Sequence, residues 1–406
     1  MAEIEVPPFF LCPITLEIMN DPVIVSTGIT YESESILKWI LSSSKKTRKR
    51  NAICPVTKLP ISAVDLTPNI ILRSMIQSWV AVNHVEGFQK PSLGPVSKSQ
   101  LLKLFNEGRN NPAGETQIRC LSTLRSIASS GEGNRKSMES AGAAHFLESL
   151  IVRKALHLAG DEDAAENRVC EEALAILCSL QIPESIINVE FIESLTKIMK
   201  SGSKESRSHS AILLKSMFQV DPSVHLKPEF FRQLARILSD RISTKASRAA
   251  LKILIAVCPL GRNRITAVEA GTVKILIDLL IDCSDSRGCE IMLTALNLLC
   301  QCADGRAHLV EHDGGLAVVC RKILRVSHVG SERAVSILHS VSKYSPAPPV
   351  VAEMLQIGVV EKLCTVLQVD CGEKTREKAR EILLLHGKAW RNSPCIPINL
   401  VSVYPS

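Results

Sequence analysis

Repetition with a fixed period is what most limits how this chain can fold. The segments Gly142-Ala143-Ala144-His145-Phe146-Leu147, Gly271-Thr272-Val273-Lys274-Ile275-Leu276, Gly315-Leu316-Ala317-Val318-Val319-Cys320 and Gly358-Val359-Val360-Glu361-Lys362-Leu363 share one apolar pattern. Five steps of roughly 43 residues separate the first from the last, a period of helical repeats. Weaker copies start at Val96, Glu190 and Glu229, and each copy is followed by a second apolar run, centred near Leu121, Ala173, Ala211, Ala250, Ala295, Ala334 and Ala379. A unit of this size buries its apolar face only against its neighbours, so the expected fold is a stack of about seven helical repeats. Composition agrees: 46% of residues are apolar but only 4% aromatic, a Leu, Ile, Val and Ala set suited to helix-on-helix packing.

The first ninety residues lie outside this repeat. Two loops of one make, Cys12-Pro13-Ile14-Thr15-Leu16-Glu17 and Cys54-Pro55-Val56-Thr57, flank an amphipathic segment that carries Trp39. Pro22 to Val25 reads as a short strand, Ser26-Thr27-Gly28 as a reversing turn, and Thr30-Tyr31 as the returning strand. A helix is expected from about Ser33, with Ile36, Leu37, Ile40 and Leu41 forming one apolar face. The basic stretch from Ser42 to Asn51 is expected to be a solvated loop. Asn69 reads as the N-cap of a closing helix that buries Leu72, Met75, Ile76 and Trp79. Lys90-Pro91-Ser92-Leu93-Gly94-Pro95 reads as a linker.

These N-terminal motifs, with Asp21-Pro22-Val23, Thr27-Gly28-Ile29-Thr30-Tyr31 and Leu66-Thr67-Pro68-Asn69, resemble the U-box, the metal-free relative of the RING domain of ubiquitin ligases. A RING domain needs eight Cys or His ligands for two zinc ions, whereas this stretch offers two cysteines and a distant His84, so zinc is excluded by ligand count. Apolar packing and side-chain hydrogen bonds between the loops must replace the metal, with Glu17, Asp21, Thr27, Thr57 and Asn69 the best-placed polar residues. The repeats, with a glycine before the middle helix and a short helix from Arg264 to Ala270, resemble armadillo repeats. The expected class is mainly α: a small α+β U-box over 5–82, a linker over 83–97, a solenoid over 98–391, and a tail over 392–406 expected to be disordered.

The resemblance implies a ubiquitin-protein ligase without a covalent intermediate, a catalytic nucleophile, a metal or a cofactor. By position, Ile14, Leu16, Trp39 and Pro55 would dock a ubiquitin-conjugating enzyme, and Lys58 would be the cation that positions its ubiquitin. Core packing for Ile14 and Leu16, and a plain solvated lysine for Lys58, are the competing readings. Protein substrates would be recruited by the armadillo groove. A U-box followed by armadillo repeats, with Phe9-Phe10-Leu11-Cys12 at the start, is similar to short plant U-box proteins of immune and stress signalling. The alternative is a non-enzymatic armadillo scaffold. Two departures from the U-box pattern stand out: Tyr31-Glu32-Ser33 replaces a common Tyr-Asp-Arg, removing that arginine's salt bridge, and the loop before Asn51 is longer and more basic.

Charge and chemistry elsewhere narrow the reading. The net charge of +7 is concentrated in Lys45-Lys46-Thr47-Arg48-Lys49-Arg50, which carries five positive charges, so nucleic-acid binding is not indicated. That run is a solvated loop, a nuclear localisation signal or a patch that steers an acidic partner. No secretory signal and no run of eighteen apolar residues is present, and the fourteen cysteines lie mostly in apolar runs, which points to reduced thiols and a cytoplasmic setting, with the nucleus as a second location. Neither Cys12 nor Cys54 has a histidine nearby in sequence to activate it. His308 and His312, four apart, have no further ligands in sequence and are read as ordinary surface. Nuclear-import receptors line the armadillo groove with asparagines, but the corresponding positions are read here as Ser126, Ile176, Leu214, Ile253, Leu298, Ile337 and Ile382.

Overall fold

The computed structural model describes residues 6–46, 52–61, 66–83, 96–110, 114–157, 164–222 and 224–391. It divides into two compact units, Met1–Ser97 with Ser126–Ser137, and Lys98–Arg125 with Met138–Ser406. Most of the linker, the run from Thr47 to Asn51, the acidic Asp161-Glu162-Asp163 segment and the tail lie outside the described residues.

In the N-terminal part, β1 (Pro22–Ile24) pairs with β2 (Thr30–Glu32) and β5 (Thr67–Pro68) in an antiparallel sheet of order β2-β1-β5. Gly28, at φ 84°, turns the first pair in a left-handed conformation that glycine adopts without cost, setting Val23 opposite Tyr31. Pro68 is tolerated because β5 is an edge strand. A second small pair, β3 (Ala52–Ile53) with β4 (Pro60–Ile61), brackets the second Cys-Pro loop. Both β5 and this hairpin are too short to leave a periodic signal in sequence.

Helix α1 (Ser33–Lys46) begins where expected but runs further, taking in Ser42–Lys46, which the composition had placed in a loop. No glycine or proline interrupts that stretch, so the helix continues. Ile36 and Ile40, one turn apart, enter the core, whereas Leu37 and Leu41 are exposed. The four do not form one buried face because the helix has the core on a single side, and positions 100° further round face outward. Helix α2 (Ile70–Asn83) is capped by Asn69, whose Oδ1 accepts from the Leu72 amide at 3.1 Å. It buries Ile76 and packs Leu72 and Trp79 against the core, but leaves Met75 exposed, contrary to the expected set.

The remaining helices form seven groups in chain order. They are α3 (Lys98–Asn110) and α4 (Gly114–Ser129); α5 (Glu132–Ser140), α6 (Ala143–His157) and α7 (Ala164–Leu177); α8 (Val189–Ser201) and α9 (Lys204–Val220); and α10 (Pro228–Asp240) and α11 (Thr244–Val257). Three full triplets follow: α12 (Gly261–Glu269), α13 (Thr272–Asp282) and α14 (Ser286–Leu299); α15 (Ala303–Glu311), α16 (Gly315–Lys322) and α17 (His328–Tyr344); α18 (Pro348–Gln356), α19 (Val359–Gln368) and α20 (Glu373–Trp390). Among the described residues, the groups that begin at α3, α8 and α10 have no short first α-helix. Before α10 only Asp221 to Lys227 is available, too few residues for two turns of helix and their connections.

Glycine serves the repeat in two ways. Gly142, Gly271 and Gly358 sit at φ 85°, 79° and 81°, reversing the chain between first and middle helices. Gly315 occupies the same place in the pattern with a different requirement: a Cβ there would lie 2.0 Å from the Leu309 carbonyl oxygen, so the position tolerates no side chain. Third helices stack on one another, and their ends are tied by side chains. Ser208 meets the Ser243 cap at 3.1 Å, Glu290 accepts from the Ser327 cap at 2.8 Å, and Glu381 takes His339 and Lys343 at 2.6 and 2.9 Å. Asn188, Ser203, Ser243, Asp285 and Ser327 each cap their helix by accepting from an amide three residues on, about 1 kcal/mol apiece.

Candidate functional site

The two Cys-Pro loops have the same backbone closure. In the first, the Cys12 amide donates to the Glu17 carbonyl at 2.9 Å and the Leu16 amide to the Cys12 carbonyl at 2.8 Å. In the second, Cys54 donates to Leu59 at 2.8 Å and Lys58 to Cys54 at 3.1 Å. The fifth residue of each loop is left-handed, Leu16 at φ 61° and Lys58 at φ 60°, a conformation that costs a non-glycine residue ~1–2 kcal/mol. The similarity of the motifs in sequence is therefore a similarity of shape.

Strand β2 braces both loops. The Glu32 amide donates to Cys12 Sγ at 3.3 Å, and the Tyr31 hydroxyl lies 3.0 Å from Cys54 Sγ while accepting from the Val56 amide at 3.3 Å. Thr27 Oγ1 and the Thr57 amide also donate to Cys54 Sγ, each at 3.5 Å. Burial pushes the Cys54 thiol up, but hydrogen bonds from Thr57, Tyr31 and Thr27 outweigh it and bring its pKa down to about 6. Burial, reinforced by the bond to Cys54, pushes the Tyr31 phenol up, so Tyr31 is the donor to sulfur. Both thiols are fully buried acceptors within the core, the role neither proline-flanked cysteine advertised in sequence.

Glu32 and Arg73 hold the segment around the altered Tyr31-Glu32-Ser33 motif. The Glu32 carboxylate accepts from the Asn20 amide at 2.7 Å and the Asp21 amide at 3.0 Å, holding the chain between the first loop and β1. Burial raises the Glu32 pKa, with the Asn20 bond opposing it. Arg73 of α2 pairs with Asp21, tying the closing helix to the segment before β1. Of the expected polar set, the side chains of Asp21, Thr27 and Asn69 make contacts that hold the loops or the closing helix, whereas Thr57 contributes its backbone amide.

The five expected site residues are placed as follows. Leu16 is 74% exposed at the tip of the first loop, whereas Ile14 is half-buried and packs on the core, so the core reading holds for Ile14 in part and not for Leu16. Trp39 is 40% exposed and donates Nε1–H to the Ile53 carbonyl at 2.8 Å, joining α1 to the strand that enters the second loop. Pro55 is half-buried beside exposed Val56, a residue the sequence reading left out of the site. Lys58 is exposed, and its Nζ donates to the Pro55 carbonyl at 2.8 Å, tying two of the expected residues together.

In the solenoid, five of the seven positions read as groove-lining need correction, Ser126 being exposed and Leu298 half-buried. Ile176, Leu214, Ile253, Ile337 and Ile382 are buried, because a third helix packs on both neighbours and its apolar stripe is wide. Their lack of asparagine therefore describes the core, not a binding surface. The accessible side instead carries polar links such as Arg125 to Glu172 at 2.9 Å. His312 is held by Asp278 at 3.1 Å and accepts from the Gly314 amide, which leaves it no free nitrogen for a metal. Among the described residues no cluster of His, Cys, Asp and Glu could hold a metal, thirteen cysteines are free, and no helix is long and apolar enough to cross a membrane.

Known proteins match this arrangement along its whole length. Residues 6–85 fit the U-box domain family and residues 100–406 the plant U-box protein ARM repeat region. The chain is 46% identical to E3 ubiquitin-protein ligase PUB23 of Arabidopsis thaliana, over 99% of this chain and 98% of that one. It is 43% identical to E3 ubiquitin-protein ligase PUB22 of the same plant, over 100% and 99%, and 34% identical to PUB24, over 98% and 96%. A non-enzymatic scaffold is set aside by these matches: the chain belongs to the plant U-box, armadillo-repeat E3 ubiquitin-protein ligases.

Proposed function

We propose that Leu16, Val56 and the exposed edge of Trp39, backed by Ile14 and Pro55, form the surface that docks a ubiquitin-conjugating enzyme. The observation that carries this reading is the bracing of both Cys-Pro loops by β2, which holds apolar side chains outward on loops that cannot collapse onto them. Apolar anchors on a rigid support lose little entropy on binding, which suits a shallow docking surface. Lys58 is the cation proposed to hold ubiquitin in its reactive pose. Release from Pro55 would free its ammonium, and that exchange is inexpensive because the bond is exposed to water. Transfer then passes directly from the conjugating enzyme to a substrate lysine.

The armadillo repeats recruit the protein substrate, in immune or stress signalling, in the cytoplasm and, through Lys45 to Arg50, the nucleus. The similarity to short plant U-box proteins supports this placement. The test is discharge of ubiquitin from a loaded conjugating enzyme by purified full-length chain. Lys58→Ala should slow discharge while leaving enzyme binding within about twofold. Equal loss of both would assign Lys58 to docking, and loss of neither would remove it from the site.

A further inference from the structure

Among the described cysteines, three are half-buried: Cys178, Cys283 and Cys302. Cys178 and Cys302 each donate to a helix carbonyl, of His209 and Leu299. Cys283 is different in that a second cysteine donates to its carbonyl and a buried lysine reaches both residues. It ends α13 in an extended conformation, and Cys289 follows in the first turn of α14. Cys283 Sγ donates to the Asp285 carbonyl at 3.5 Å and Cys289 Sγ to the Cys283 carbonyl at 3.4 Å, so both thiols line the same turn. A Cβ at Gly288 would stand 3.4 Å from Cys283 Sγ, so that sulfur lies over the residue next to Cys289.

A buried cation completes the cluster. Lys322 of α16 is only 8% exposed, and its Nζ lies 2.7 Å from the Cys283 carbonyl and 3.3 Å from Cys289 Sγ. Among the described residues no carboxylate pairs with it. A desolvated ammonium directed at a sulfur stabilises negative charge there, and it opposes a metal cation in the same place. We propose that Cys283 and Cys289, with Lys322, form a peroxide-responsive dithiol that closes reversibly to a disulfide in the turn between α13 and α14.

The chemistry balances in two steps. Cys283, the thiol nearer solvent, attacks hydrogen peroxide: the O–O bond breaks, an S–O bond forms, and the sulfenic acid is left with one water released. Cys289 then attacks that sulfur, the S–S bond forms, and the hydroxyl leaves as a second water with the proton of Cys289. Two electrons pass from the thiols to the peroxide. Burial, reinforced by the neighbouring Cys289, holds the Cys283 thiol above its ordinary pKa, which makes the first step the slower one. Lys322 acts as a positioning residue in the second, where negative charge gathers on Cys289.

The test uses full-length protein. Trypsin cuts after Arg287, so the disulfide would join two separate peptides, one with Cys283 and one with Cys289. After hydrogen peroxide, alkylation and digestion, mass spectrometry should find these peptides linked with the loss of two hydrogens, and dithiothreitol should separate them. Fragmentation must place the link at Cys289 and not at Cys300 or Cys302. Independent alkylation of both thiols, over-oxidation of Cys283 without a link, or equal linkage to the other cysteines overturns the proposal. Lys322→Met should raise trapping of the Cys283 sulfenic acid by dimedone about tenfold, and unchanged trapping removes the lysine's role. The wild-type linkage map stands whether or not that variant folds.

Discussion

Substitution of Leu16 separates docking from folding more cleanly than any other change in the U-box. Fully burying a leucine side chain stabilises by ~1.5–3 kcal/mol. Leu16 is 74% exposed, so the fold gains about a quarter of that, and Leu16→Ala should cost the fold roughly 0.5 kcal/mol. If a conjugating enzyme covers the exposed three-quarters of the side chain, binding loses about 1.1–2.2 kcal/mol, roughly a six- to fortyfold weakening. Leu16→Gly sharpens the contrast, because the left-handed φ of 61° suits glycine. Relief of ~1–2 kcal/mol of backbone cost is offset by ~0.5–1 kcal/mol of extra chain entropy, so stability should hold or rise while docking is still lost. The assay pairs single-turnover ubiquitin discharge with a thermal melt of the same protein. Unchanged discharge in both variants, or a loss that tracks the melting temperature, would refute the reasoning. Trp39→Ala is the weaker probe: burying about three-fifths of a side chain that can cover ~200 Å² contributes roughly 3 kcal/mol to the fold itself.

Other outcomes follow from the same contacts. Tyr31→Phe should destabilise the U-box by about 1–3 kcal/mol in chemical denaturation, since it strands the Val56 amide and removes a donor to Cys54. Gly315→Ala should cost about 2 kcal/mol or more, and lower the solenoid's melting temperature further than Gly358→Ala, because the first meets a carbonyl oxygen and the second only an unfavourable φ. His386 is held below its ordinary pKa by burial, with a bond to Ser342 opposing, so its contribution is fully present above the unfolded value and is lost as pH falls below about 6.5. The melting temperature should therefore drop from pH 7.5 to pH 5.5, and His386→Phe, which can still pack on Trp390, should flatten part of that slope. An equal slope in the variant would place the acid sensitivity elsewhere.

Periodicity determined the solenoid from sequence alone. An apolar pattern repeated about every 43 residues has few ways to be buried, and the middle and third helices fall where it placed them. The two Cys-Pro loops were equally legible, because a proline after a buried cysteine and a turn of fixed length constrain the backbone locally. What the sequence could not decide is where a helix meets the core and which partner a polar group finds across space. Leu37 and Leu41 have the right period and the wrong side, since α1 is covered on one side only. Five of the seven groove positions were misplaced for the converse reason, a third helix being covered on two. The Arg73–Asp21 pair, the Tyr31–Cys54 brace and the Lys322 contact with Cys289 all join residues distant in the chain. Tertiary packing alone brings such groups within 3–4 Å, and at that range hydrogen bonding and charge take over from pattern.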